Sequence, residues 1–199
     1  KFELIDDLLE GWLEKGINDL EESTLEFGKP NLDIQNFSDT SRVSQNLSLP
    51  VLSFGLVQAS LLKETLYQVA DLWDTSATIF VRDGDQMVRI ATTIQDKEGT
   101  SAVGTILDPN GFVLPELLEG KKFKGIARIL GIPYYTKYSP IFNKDGDVIG
   151  AWYAGYQIAS VAKAMRKSIN NADLRANTHL LIIDADDQIG YSSEGTPPK

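Results

Sequence analysis

"PYYTKYSPIFNKDGDVIGAWYAGY", residues 133–156, carries strand-like alternation on both sides of Lys144-Asp145-Gly146-Asp147. A turn of that composition between two such runs makes the segment a β-hairpin. Tyr134, Tyr135, Tyr138, Tyr153 and Tyr156 crowd it. Period-two alternation puts Tyr134, Thr136, Tyr138 and Pro140 on one face and Tyr135, Lys137 and Ser139 on the other. On the returning strand, Trp152 and Ala154 alternate with Ala151, Tyr153 and Gly155. The set containing Tyr134, Thr136 and Tyr138 is assigned to a ligand cavity, and Tyr153 is placed to share it. An aromatic plate with a hydroxyl at its rim suits a small-molecule pocket. Core packing with a satisfied hydroxyl is the plainer alternative for each tyrosine.

Working outward, residues 76–94 read as a second hairpin around Asp83-Gly84-Asp85. Residues 98–111 form a glycine-rich loop, residues 112–120 hold one short helix, and residues 123–132 are a further strand. Upstream, Ile5, Leu8, Leu9, Trp12, Leu13, Ile17 and Leu20 recur at helical spacing, and Gly28 and Pro30 stop that helix. A polar loop is expected as far as Ser41, then a second apolar helix over residues 51–73. Downstream, residues 158–172 read as an amphipathic helix, and residues 178–193 as a strand and a turn. The order describes an α+β chain with one curved antiparallel sheet of five or six strands packed against long N-terminal helices. It divides into an N-terminal helical segment (1–75), a central sheet (76–157) and a C-terminal extension (158–199).

Composition removes several function classes. The 199 residues carry 19 basic and 28 acidic side chains, a net charge of −9, which opposes nucleic-acid backbones. There is no cysteine and only one histidine, His179. Thiolate chemistry and zinc sites therefore have no ligand set. "DADDQ" (184–188) resembles the start of a calcium loop, but the twelfth position is Gly195 and lacks the bidentate glutamate. No phosphate-binding glycine loop or nucleophile elbow occurs. No cofactor is expected. No apolar run reaches the ~20 residues that span a bilayer.

Three stretches resemble the Cache family, the PAS-like extracytoplasmic sensor domains of bacterial membrane receptors. "MVRIATTIQDKEGTSAVGTIL" (87–107) is similar to its arginine-bearing strand and polar loop. "EGKKFKGIARILGIPYYTKYSPIF" (119–142) resembles its G-x-x-(Tyr/Phe)-x-G strand and its Tyr-x-Pro-Ile strand. "NKDGDVIGAWYAGY" (143–156) resembles its ending, D-x-x-G-x-(Val/Ile)-I-G-x-(Leu/Trp)-Y-x-G. The likeness is to a single-Cache domain. It implies a PAS-like sheet, a periplasmic location, membrane anchoring in the full-length protein, and an output such as a chemotaxis module, a histidine kinase or a nucleotide cyclase. Residues 158–199 exceed the compact version, and either begin a second module or add a strand to the first.

The candidate site follows from these readings. Arg89 stands among β-branched residues, where a guanidinium needs an anion, and the resemblance implies that it faces the ligand. An exposed edge position or an internal salt bridge is the alternative. Thr92 is assigned to the same cavity. Gly104 and Thr105 are candidates to offer backbone N–H groups to an anion, with a plain turn as the favoured alternative. Arg128 is a second candidate cation, with a plain surface role as its alternative. The expected partner is a small carboxylate or amino acid, with a homodimer seam through Ile5, Leu9, Trp12 and Gly16, for which ordinary packing against the sheet is the alternative. Two other functions stay open on the residues alone: a ligand-free protein-interaction module, and an enzyme with an unrecognised carboxylate site.

Overall fold

In the computed structural model the described residues are 3–37, 49–160, 181–183 and 189–192. The chain divides into two compact units, Lys1–Gln157 and Ile158–Lys199. In the first, α1 (Glu3–Leu25) is followed by β1 (Pro30–Phe37), β2 (Leu49–Phe54) and β3 (Val57–Gln58), which form a small antiparallel sheet in that order. A single 3-10 turn leads into α2 (Lys63–Trp73). The main sheet comprises β4 (Ser76–Asp83), β5 (Gln86–Thr92), β6 (Phe123–Ile129), β7 (Ile132–Phe142) and β8 (Val148–Gln157), with α3 (Val113–Leu118) between β5 and β6. Its order is β5-β4-β8-β7-β6, antiparallel throughout.

The strand order explains the residue pattern. β4 and β8 lie at the centre and are covered on both faces, so they carry nearly continuous apolar runs. β6 is an edge strand and alternates, with Lys124, Ile126 and Arg128 outward. One face of the sheet packs on α1 through Leu13, Ile17 and Leu20, which recur on one side of the helix and are fully buried. There Trp152 Nε1 donates to Thr24 Oγ1 (3.2 Å), Tyr156 Oη donates to the Trp73 carbonyl (2.9 Å), and Lys137 pairs with Glu14. β2 joins this layer, with Phe54 stacked on Trp152 at 6.2 Å.

Two stretches depart from the sequence reading. Residues 49–54 are a strand, and the helix expected over 51–73 is confined to Lys63–Trp73. Pro50 disfavours helix at its start, and Gly55 (φ 58°) turns the chain after Phe54. The expected polar loop contains β1, which pairs with β2 from Pro30 to Asp33 and again at Phe37. In the second unit, β9 (Leu181–Ile183) pairs antiparallel with β10 (Ile189–Ser192). The helix expected over 158–172, His179 and the acidic turn 184–188 fall largely or wholly outside the described residues.

A candidate ligand site beneath the 94–118 lid

The face opposite α1 is ordered in rows that cross the strands. Arg89 stands opposite Phe80, Phe80 opposite Ala151, and Ala151 opposite Pro140. The next row runs Thr92, Thr78, Tyr153, Tyr138 and Phe123. Beyond it lie Ser76, Gly155, Thr136 and Gly125, and then Tyr134 beside Ala127. The segment 94–118 covers these rows as a lid, packing Ile94, Ala102, Leu107, Val113, Leu114 and Leu117 against Phe80, Tyr138 and Tyr153.

Arg89 ties the lid to the sheet. Its backbone N donates to the Thr105 carbonyl (3.0 Å), and its carbonyl accepts from Gly104 N (2.8 Å). Its Nη1 donates to Thr105 Oγ1 (2.8 Å) and to the Ile106 carbonyl (3.1 Å). The guanidinium lies over the Phe80 ring, 5.0 Å from its centroid, and the residue is only 4% exposed. Burial lowers its pKa, and the Tyr138 and Tyr153 hydroxyls act in the opposite direction. Arginine has reserve enough to stay charged.

Two polar atoms on this face are buried without a partner: Arg89 Nε and Tyr138 Oη. Such groups are rare in folded proteins, where a buried donor is nearly always paired. Tyr138 is fully buried between Phe80 (6.1 Å between ring centroids), Phe123 (6.2 Å) and Tyr153 (4.9 Å). Tyr153, by contrast, shares a 3.0 Å hydrogen bond with Ser76 Oγ. Burial pushes the hydroxyls of Tyr138, Tyr153 and Tyr134 above the usual phenol range, so all three remain donors. A third orphan, Thr75 Oγ1, sits where α2 passes into β4.

The other expected site residues divide between this face and other parts of the unit. Thr136 is on the site face, with its hydroxyl given to the Gly125 carbonyl (2.8 Å). Thr92 is also there, but its hydroxyl is spent on Thr78 Oγ1 (2.5 Å) and accepts from Ile94 N (3.1 Å). Thr105 does not offer a free N–H: its N donates to the Ala102 carbonyl (3.1 Å), and Gly104 N is taken by Arg89. Thr105 serves instead as the acceptor that holds the guanidinium. Arg128 is displaced altogether. It is exposed, donates to the Gly131 carbonyl (3.2 Å), and alternates with Ala127 onto the opposite face from Tyr134. Gly16 is likewise not a seam residue, being buried against Ala154 and Trp73, while the side chains of Ile5 and Leu9 lie outside the description. Sequence reading missed Phe80, Ser76 and Phe123, although alternation with Thr78 and Gly125 marks their face. Phe123 also lines an open groove of about 540 Å³ with Phe112, Pro115, Lys122 and Lys124.

Comparison with known proteins places this geometry in a family. The family model described as the Cache 3/Cache 2 fusion domain matches residues 5–192. The expected likeness was to a single-Cache domain. The matched model joins two Cache types and runs past β8 into the second unit. The sensor domain of E. coli DcuS is similar at TM-score 0.37 and 15% identity, over 53% of this chain and 72% of that one. The periplasmic sensory domain of the Campylobacter jejuni chemoreceptor Tlp1 is similar at TM-score 0.44 and 10% identity, over 98% of this chain and 69% of that one. A search of curated proteins found no match. The chain belongs to the family of Cache 3/Cache 2 fusion domains, a family of extracytoplasmic sensor domains.

Proposed function

We propose that residues 1–157 are the extracytoplasmic ligand-sensing part of a membrane receptor, and that the ligand is a small carboxylate held between Arg89 and Tyr138. The observation that carries this reading is the pair of buried donors, Arg89 Nε and Tyr138 Oη, left unpartnered beneath one lid. A carboxylate supplies acceptors for both, and a guanidinium edge suits it. Among the described residues, the buried core around them includes no acidic side chain. An ammonium group would find no counter-ion in that core, which favours a simple carboxylate over an amino acid.

The route to an output begins in the same strands. Tyr138 and Tyr153 face the lid, while their neighbours Lys137 and Trp152 grip α1 through Glu14 and Thr24. A ligand that reseats the tyrosines shifts the far face of β7 and β8, and with it α1. It does so only through differential affinity for the two arrangements. Assembly through α1 would use Trp12, 46% exposed, since Gly16 is occupied by the sheet.

The test is a thermal-shift panel of acetate, butyrate, succinate, glycine and alanine. The reading expects stabilisation by one or more of the plain carboxylates, absent in Arg89→Lys and weakened in Tyr138→Phe. Stabilisation by the amino acids alone, or an equal response in Arg89→Lys, overturns it.

A further inference from the structure

Gly155 has no backbone reason to be glycine. It lies inside β8, opposite Ser76 and Thr136, and its φ is not positive. An L-residue could adopt that conformation without strain. The constraint lies above it. A Cβ at Gly155 would stand 2.2 Å from Tyr153 Oη, 2.7 Å from its Cζ and 3.0 Å from its Cε2. The three nearest atoms all belong to one ring. Tyr153 therefore lies along its own strand, over the glycine two residues on, and this pose brings its hydroxyl to Ser76 Oγ at 3.0 Å. Phe123 repeats the arrangement on β6, where a Cβ at Gly125 would meet its Cζ at 3.2 Å.

We infer that Gly155 is a positioning residue that sets the depth of the ligand site, by letting Tyr153 lie flat as its floor. This rests on the carboxylate reading above for the identity of the occupant, but not for the pose of the ring. A methyl group at 155 pushes the ring off Ser76. Tyr138, centred 4.9 Å away, blocks one flank, and Thr78 stands opposite on the other. The remaining direction is upward, towards the lid residues packed on this face. The floor rises, and the larger ligands lose their room before the smaller ones.

The experiment compares wild type, Gly155→Ala, Tyr153→Leu and the double variant. With acetate and butyrate as probes, Gly155→Ala keeps the acetate shift and weakens butyrate at least about tenfold. Adding Tyr153→Leu restores butyrate. Equal loss of both probes, or no recovery in the double variant, overturns the inference. The ring pose is decided independently by urea unfolding without ligand. Gly155→Ala lowers the midpoint in the wild-type background and leaves it unchanged in the Tyr153→Leu background. A fall of the same size in both backgrounds shows that the glycine serves something other than Tyr153. If wild type responds to no carboxylate, the proposed ligand class fails, while the unfolding cycle still decides the role of Gly155.

Discussion

Replacing Tyr138 with phenylalanine should make the protein more stable, which is unusual for a change in a fully buried side chain. The ring is 0% exposed, and its contacts with Phe80, Phe123 and Tyr153 survive, because phenylalanine keeps the ring and its shape. Only the hydroxyl is lost, and that hydroxyl has no partner. Leaving a buried polar group unsatisfied costs about 1–3 kcal/mol. Tyr138→Phe should therefore gain about 1–2 kcal/mol, or roughly 2–8 °C in melting temperature for a domain of this size. Tyr153→Phe is the internal control. Its hydroxyl is bonded to Ser76, so its removal should cost about 1 kcal/mol. Urea unfolding of the three proteins at one pH measures both changes. The same Tyr138→Phe protein should bind a carboxylate probe about tenfold more weakly, a loss of about 1.4 kcal/mol. The reasoning is refuted if Tyr138→Phe loses stability, because its hydroxyl then has a structural partner and is not held for a ligand.

Other perturbations probe the scaffold. The two-residue turn joining β6 and β7 places Leu130 at φ 49° before Gly131 at φ 80°. Left-handed backbone disfavours a leucine, and Leu130→Asn should raise stability by about 0.5–1 kcal/mol in urea unfolding. The Lys137–Glu14 pair should respond asymmetrically, since Lys137 is 7% exposed. Glu14→Gln, which removes the negative charge paired with a nearly buried cation, should cost about 1–2 kcal/mol, whereas Lys137→Met should be neutral or stabilising. Alkaline titration tests the buried phenols. Burial, and secondarily Asp74, push the Tyr156 hydroxyl up to about 12. The folded state then holds a proton that the unfolded chain releases from about pH 10. Stability is complete below that pH and drains away as pH rises towards 12, and part of this decline should vanish from the urea midpoints of Tyr156→Phe.

The sequence disclosed what strand periodicity controls and little else. The β7–β8 hairpin was readable because two alternating runs flank a turn of fixed chemistry, and alternation alone placed Tyr134, Thr136 and Tyr138 on one face. Arg128 was misplaced because its face depends on register across the Leu130-Gly131 turn. A one-residue slip moves every side chain to the other side. Residues 51–54 were misread because Val51, Leu52 and Phe54 satisfy both helical and strand periods over so short a run. Pro50 and Gly55, which decide between them, act at the ends. Thr105 was chosen for its backbone N–H, yet the path of the lid turns that donor towards Ala102 and leaves the side chain to Arg89. Gly155 was visible as part of a Y-x-G ending, but its reason is a contact within three residues that only coordinates reveal.

The central claim is that Arg89 Nε and Tyr138 Oη are donors reserved for an anion. The most direct measurement is the Arg89 Nε–Hε resonance in ¹⁵N-labelled protein, assigned by its disappearance in Arg89→Lys. Titration with the carboxylate that scores in the thermal panel should move it downfield, saturably, with the same midpoint as the thermal response and with a smaller shift in Tyr138→Phe. A resonance that stays in place while others move with the ligand would put the binding site elsewhere in the molecule.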